Sequence, residues 1–217
     1  MLADIAAIVA AYAIGAVPVA WLAGRAGGVD LRQAGSGNVG ANNVYQTASR
    51  WLIVPVGVAQ IAQGAGAVLL GRWAGSDGIA AACGVAALVA NNWNPLLGLA
   101  GGRGNGIHIG ALPGLSPWAL GAFVAVAVAG AAMRAAPQGV ALAMIAAPIA
   151  AAVGGESAAI VAGCAALAAV AFAKRLLGNG PPAPEHPRPR VWLLRLVYDR
   201  DIADREAWVA GSRQRRA

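Results

Sequence analysis

Charge is what this sequence lacks. Only 12% of its 217 residues are acidic or basic and 59% are hydrophobic, too apolar a balance for an ordinary soluble domain. No Asp, Glu, Lys or Arg occurs within 5–24, 51–71, 78–102, 104–133, 135–155 or 157–173. A helix needs roughly 20 apolar residues to cross the hydrocarbon layer, at about 1.5 Å of rise per residue. Five of the six runs reach that length, and 157–173 sits at its lower limit. Cysteine is scarce as well. Cys83 and Cys164 both fall inside apolar runs, which argues for packing rather than a disulfide, and their spacing is not that of a metal site. The first run is preceded by Asp4 and by no Lys or Arg. The basic region of a cleaved signal peptide is therefore missing, and 3–24 is expected to stay as a helix.

What charge there is, a net of +7, is mostly basic and unevenly placed. Helices near 3–24, 51–71, 78–93, 105–116, 118–133, 138–154 and 157–173 put Arg25, Arg32, Arg50, Arg103, Arg134, Lys174, Arg175 and the whole tail on one side of a bilayer. Arg72 alone lies opposite, with Asp77 and Glu156. Lys and Arg near helix ends stay cytoplasmic, so the pattern predicts an N-terminus outside and a C-terminus inside. The expectation is an all-α integral membrane protein of about seven transmembrane helices with Gly-rich cytoplasmic loops. The fourth helix is short, with Pro113 and Pro117 near its end, and a re-entrant hairpin there is the alternative.

Two cytoplasmic-side segments carry more than a connector needs. DLRQAGSGNVGANNV, residues 30–44, sets Gly35, Gly37 and Gly40 among Ser36, Asn38, Asn42 and Asn43, with Arg32 just ahead. Glycines permit positive φ and leave N–H groups bare, which can build an anion-binding nest. Ser and Asn add neutral donors, and Arg32 offers a bidentate phosphate contact. NNWNPLLGLAGGRGNG, residues 91–106, surrounds Arg103 with Gly101, Gly102, Gly104 and Gly106 ahead of a helix start. Bare amides, a cation and a helix N-terminus together suit phosphate. The plainer readings are a flexible joint for the first segment and a tight turn with a topology-setting Arg for the second.

With both segments in view, the chain resembles the acyl-phosphate:glycerol-3-phosphate acyltransferase family of bacterial membranes (PlsY type), over roughly residues 8–177. DLRQAGSGNVGANNV is similar to the family's glycine-serine-glycine-asparagine loop almost throughout. LAGGRGNG at 99–106 is similar to its Gly-Gly-Lys-Gly loop, with Arg103 in the lysine's place. The resemblance implies seven membrane helices, a cytoplasm-facing site in the bacterial plasma membrane, and transfer of a fatty acyl group from acyl phosphate to the 1-hydroxyl of glycerol 3-phosphate for phospholipid synthesis. It implies no metal and no dissociable cofactor. It makes Ser36 and Arg103 the catalytic candidates, and Arg32, Gly35, Gly37, Asn38, Asn43, Gly101, Gly102 and Gly104 the substrate-binding ones.

The chain also departs from the family pattern. Gln46 stands where the family has an Arg, Asn91 where it has a His, Val140 near a Ser, and Ala169 and Phe172 at a His and an Asn. Replacing a phosphate-binding Arg by Gln removes a full charge and a fork of donors. Gln60 and Gln63 replace an Asp and a Lys together, an exchange that lets an uncharged hydrogen-bonding pair take over without stranding a charge. Two functions follow: a divergent acyltransferase that works by positioning two phosphates, or a catalytically degenerate homologue that binds a phosphorylated lipid or a membrane partner.

His108 has two readings, a general base or a helix histidine bonded to a neighbouring helix, and the second is favoured. The chain divides into a membrane domain at 1–178, a Pro-rich linker at 179–190 containing PPAPEHPRPR, and a basic amphipathic tail at 191–217. In the tail, Val191, Leu194, Tyr198, Ile202 and Val209 recur on one helix face, with Arg195, Arg200, Asp201, Asp204 and Arg205 as polar surface. Such a helix either lies on the anionic leaflet or packs on the protein itself. Nucleic acid is not needed to explain a pI near 10.7, since positive-inside topology accounts for the charge.

Overall fold

The computed structural model describes residues 1–179, 187–204 and 207–208. Residues 181–186 of the Pro-rich stretch, with His186, and the basic end at Arg213, Arg215 and Arg216 lie outside them. The described residues form helices and no strand: α1 (Leu2–Ala16), α2 (Val19–Ala26), α3 (Ala41–Thr47), α4 (Ile53–Ala74), α5 (Asp77–Asn92), α6 (Asn105–Leu115), α7 (Pro117–Ala132), α8 (Ala136–Val153), α9 (Ala158–Leu177) and α10 (Arg188–Tyr198). Among them, four stretches are long and apolar enough to cross a membrane: Leu2–Ala26, Arg50–Ala74, Ala136–Val153 and Ala158–Leu177.

These helices are apolar all round, so hydrophobicity does not tell the inward face from the outward one. Small and polar residues do. On α4 the buried positions are Val56, Gln60, Gln63, Gly64, Ala67, Val68 and Gly71, spaced at three and four and therefore on one stripe. A Cβ on Gly64 would stand 2.1 Å from the Ile107 carbonyl oxygen, and one on Gly110 would stand 2.0 Å from that of Ile61. α4 and α6 thus touch backbone to backbone, as helices do where lipid gives no hydrophobic drive to association. The opposite faces expose Val54, Val58, Leu69, Leu142, Ile145 and Ile149. Trp51, just ahead of α4, and Trp73, in its last turn, are exposed, about 33 Å apart at helical rise, which suits two membrane interfaces.

The expected first helix is interrupted. Val17 is extended (φ −64°, ψ 112°) ahead of Pro18, the conformation that a following proline imposes. The break frees carbonyls inside the bundle, where an unpaired one costs several kcal/mol. Gln63 donates its amide to the Ile14 and Val17 oxygens (2.6 and 3.0 Å), and Asn94 donates to Ala16 (2.8 Å). Gln63 therefore serves α1 rather than a Gln60 partner.

The two ends of the bundle differ. At one end Arg72 donates to the Gly114 and Leu115 carbonyls at the close of α6, and pairs with Asp77, which also accepts from Ser157. At the other end lie both glycine segments, the close of α9 and α10. α10 packs on α8 and α9 and buries Val191 and Arg195 while Trp192 and Leu193 stay exposed. The continuous face from 191 to 209 is not observed, because α10 stops where Asp199 turns left-handed (φ 57°); Val209 and Arg205 lie outside the described residues. Arg195 is core, not surface, since its charge is met by Asp201 through two nitrogens at 2.8 and 2.9 Å. His108 is fully buried against Phe123 (5.3 Å between ring centroids). Neither of its ring nitrogens has a hydrogen-bond partner among the described residues, so ring packing replaces the expected bond to a neighbouring helix.

Candidate active site

The first glycine segment is organised by one side chain. Asn43, on α3 and 2% exposed, donates its amide to the carbonyls of Leu31 (3.1 Å), Ala34 (3.0 Å) and Asn38 (2.9 Å). Its Oδ1 accepts from the Ser36 N–H at 3.3 Å. Four neutral bonds from one buried amide contribute about 1 kcal/mol each. Gly35 (φ 56°) and Gly37 (φ 69°) are left-handed, and a Cβ on Gly35 would stand 2.3 Å from Asn43 Oδ1. Ser36 lies between these two turns, and its Oγ accepts from the Asn38 N–H at 3.4 Å. Arg32 is held by Asp30 through Nε (3.0 Å) and a terminal nitrogen (2.7 Å). These hydrogen bonds hold the Asp30 carboxyl well below the usual carboxylate range.

The second segment is shaped by distant residues. Asn94 caps a 3₁₀ turn at Pro95–Leu97, and Gly98 and Leu99 follow with φ of 63° and 66°. A left-handed leucine costs about 1–2 kcal/mol and marks a loop held in place by its surroundings. Gly101 and Gly102 lie against the end of α5. A Cβ on Gly101 would meet the Asn91 carbonyl oxygen at 2.3 Å, and the Gly102 N–H donates to that same oxygen at 3.2 Å. Gly104 (φ 70°) caps α6.

The two segments meet through backbone. The Val39 N–H donates to the Gly101 carbonyl at 3.3 Å, and a Cβ on Gly102 would stand 2.7 Å from the Val39 oxygen. A cavity of about 10 Å³ beside this contact is lined by Pro18, Val39, Asn91, Asn94 and Gly102 among others. The Arg103 side chain runs to the close of α9 and the tail. Its Nε lies 2.9 Å from both Asp199 oxygens, and its terminal nitrogens donate to the Lys174 carbonyl (3.2 Å) and to Asn179. A Cβ on Gly178 would fall 1.6 Å from Arg103, so that glycine is what lets the guanidinium cross the helix end.

Two further cations join this end that the sequence reading used only for topology and alignment. Lys174 and Arg175 are buried. The Lys174 amine donates to the Asn92 carbonyl and lies 5.3 Å over the Trp93 ring. Arg175 donates to Leu196 (2.7 Å) and Pro137 (3.4 Å). The signal for them was their place at the end of a charge-free run: a Lys-Arg pair there either snorkels to the surface or is bonded inward, and these are bonded inward. The end thus gathers Arg103, Lys174, Arg175 and the two glycine segments around the Asp199 carboxylate, a set suited to an anion and to the electrostatics of phosphate chemistry. Among the described residues no group of His, Cys, Asp and Glu is arranged to hold a metal.

The family model for glycerol-3-phosphate acyltransferase matches residues 5–177. Glycerol-3-phosphate acyltransferase 1 of Deinococcus radiodurans is 43% identical over 113 residues, which cover 51% of this chain and 57% of that protein's length. Glycerol-3-phosphate acyltransferase 4 of Dehalococcoides mccartyi is 31% identical over 93% of this chain and 91% of its own. A crystal structure of PlsY, an integral membrane glycerol 3-phosphate acyltransferase in its glycerol 3-phosphate form, superposes with a TM-score of 0.75 at 21% identity, covering 83% of this chain and 95% of that one; this likeness shows a shared fold. The chain is a multi-pass membrane protein, and it belongs to the glycerol-3-phosphate acyltransferase family.

Proposed function

We propose that this chain transfers a fatty acyl group from acyl phosphate to glycerol 3-phosphate, at the end of the bundle where the two glycine segments meet. The observation that carries the reading is the backbone contact from Val39 to Gly101, which joins the two Gly-rich loops. Gly35, Ser36, Gly37 and Asn38 on one side, and Gly101, Gly102, Gly104 and Arg103 on the other, form the binding surface: the Ser36 hydroxyl, the Asn38 side-chain amide and the Arg103 guanidinium serve the phosphate of glycerol 3-phosphate, and the glycines let the backbones approach closely. Asn43 holds the first loop in shape, and Arg32, paired with Asp30, faces the approach. The 1-hydroxyl oxygen of glycerol 3-phosphate attacks the acyl carbon, the bond from that carbon to the phosphate oxygen breaks, and the departing phosphate takes the hydroxyl proton. The product is lysophosphatidic acid. The chain's contribution is orientation and charge stabilisation, with no side-chain base required. An apolar groove of about 480 Å³ among Ala141, Leu142 and Ile145 of α8, Phe172 of α9, and Leu193 and Leu196 of α10 offers room for the hydrocarbon chain. In this reading 1–178 is the catalytic membrane domain with about seven passes, in the bacterial plasma membrane. The N-terminus lies outside, and the 191–217 tail is cytoplasmic beside the loops.

A second reading, a degenerate homologue that binds a phosphorylated lipid, is favoured by Gln46, Ala169 and Phe172, which lack the donors that the family pattern places there. One experiment separates the two. Inside-out membrane vesicles carrying the full chain receive acyl phosphate and membrane-impermeant glycerol 3-phosphate in the medium. The transferase reading expects lysophosphatidic acid from these vesicles and none from right-side-out ones. Turnover should rise at low glycerol 3-phosphate when Gln46→Arg restores a charged fork. No product from either orientation, with acyl phosphate still bound, leaves the second reading.

A further inference from the structure

Asp199 lies beyond the family-matched segment, which ends at 177, and yet it supplies the anion that Arg103 holds. The tail reaches Arg103 by a firm anchor. Arg195, 2% exposed, grips Asp201 with Nε at 2.8 Å and a terminal nitrogen at 2.9 Å, and donates to the Leu176 carbonyl at 2.6 Å. Arg175 adds a bond to Leu196 at 2.7 Å, so α10 is fixed to the close of α9 from both directions.

The hold on Asp199 is of a different kind. Only Nε of Arg103 faces the carboxylate, at 2.9 Å from each oxygen. The remaining guanidinium nitrogens donate to Lys174 and Asn179. The fork is therefore not used bidentately, the geometry that makes Arg–carboxylate and Arg–phosphate pairs strong. Asp199 is also the first residue past α10, left-handed at φ 57°, so the anchor ends where this contact begins.

Resting on the phosphate site proposed above, we propose that Asp199 is a built-in surrogate for the ligand's phosphate: its carboxylate occupies Arg103 when the site is empty and sets the site's affinity for a phosphorylated ligand. A phosphate brings more charge and more acceptor oxygens than a carboxylate. It therefore displaces a singly held carboxylate while α10 stays anchored by Arg195 and Asp201. Asp199 is a residue that tunes binding strength, supplied by a tail outside the family-matched region.

Glycerol 3-phosphate titrated calorimetrically into the full chain in detergent tests this. Asn tolerates the left-handed conformation well, so Asp199→Asn removes the charge and keeps the turn. It should bind at least about fivefold tighter than wild type, a change of about 1 kcal/mol. Asp199→Gly, equally at ease at positive φ, should shift binding the same way. Neither change should matter in an Arg103→Ala background. If Arg103→Ala loses binding but Asp199→Asn and Asp199→Gly bind no tighter, the surrogate role is overturned and Asp199 is a brace or a bystander. If Arg103→Ala binds as well as wild type, Arg103 is no phosphate ligand, and the site reading falls together with the surrogate. Absence of binding by wild type and by both Asp199 variants also overturns it.

Discussion

The two glycine segments reach similar ends by different means. The 30–44 loop is held by its own Asn43, whose partners lie within 12 residues along the chain. The 99–106 loop is held by the end of α5 through Asn91, by Val39 of the first loop, and through Arg103 by Lys174, Asn179 and Asp199, which lie 71 to 96 residues away. The first loop is a self-contained part. The second exists only in the assembled bundle.

That contrast makes the largest expected effect a local one. Asn43→Ala strands three carbonyls and one N–H around a buried position, and should cost about 4 kcal/mol of stability in thermal unfolding, at about 1 kcal/mol for each lost bond. A loss below about 1 kcal/mol would mean that the loop is not built around Asn43. Gly102→Ala comes next. Its Cβ would press on the Val39 oxygen at 2.7 Å, and crowding of that kind costs about 1–3 kcal/mol. Because it parts the loops without touching Asn43, glycerol 3-phosphate binding should weaken about tenfold while the first loop keeps its amide protection. Equal disruption of both loops would erase the distinction.

The sequence is legible where its physics is local. Charge-free runs located the helices to within a few residues, because burying a charge in hydrocarbon is costly. The glycine spacing around Ser36 and Arg103 marked both loops. The break at Pro18 was open to the same reasoning, since the residue before a proline is pushed out of helical geometry, but its consequence was not. Gln63 is bonded to carbonyls 46 and 49 residues away, and nothing in the Gln60–Gln63 spacing announces that. Arg195 looked like surface because an Arg on an amphipathic helix usually is. Its burial depends on Asp201 folding back past the end of α10, which periodicity cannot encode. His108 was expected to find a polar partner and packs on Phe123 instead.

If both loops serve the phosphate of glycerol 3-phosphate, Ser36 and Arg103 share one ligand. A double-mutant cycle on glycerol 3-phosphate binding, with Ser36→Ala and Arg103→Ala made singly and together, tests it most directly. Residues that share a ligand couple, whereas distant independent sites add to within about 0.5 kcal/mol. A coupling of at least about 1 kcal/mol is expected. Arg103→Ala alone should weaken binding at least about tenfold, or roughly 1.4 kcal/mol. Additive effects, or an Arg103→Ala variant that binds as wild type does, would contradict it and leave Arg103 as a charge that sets topology.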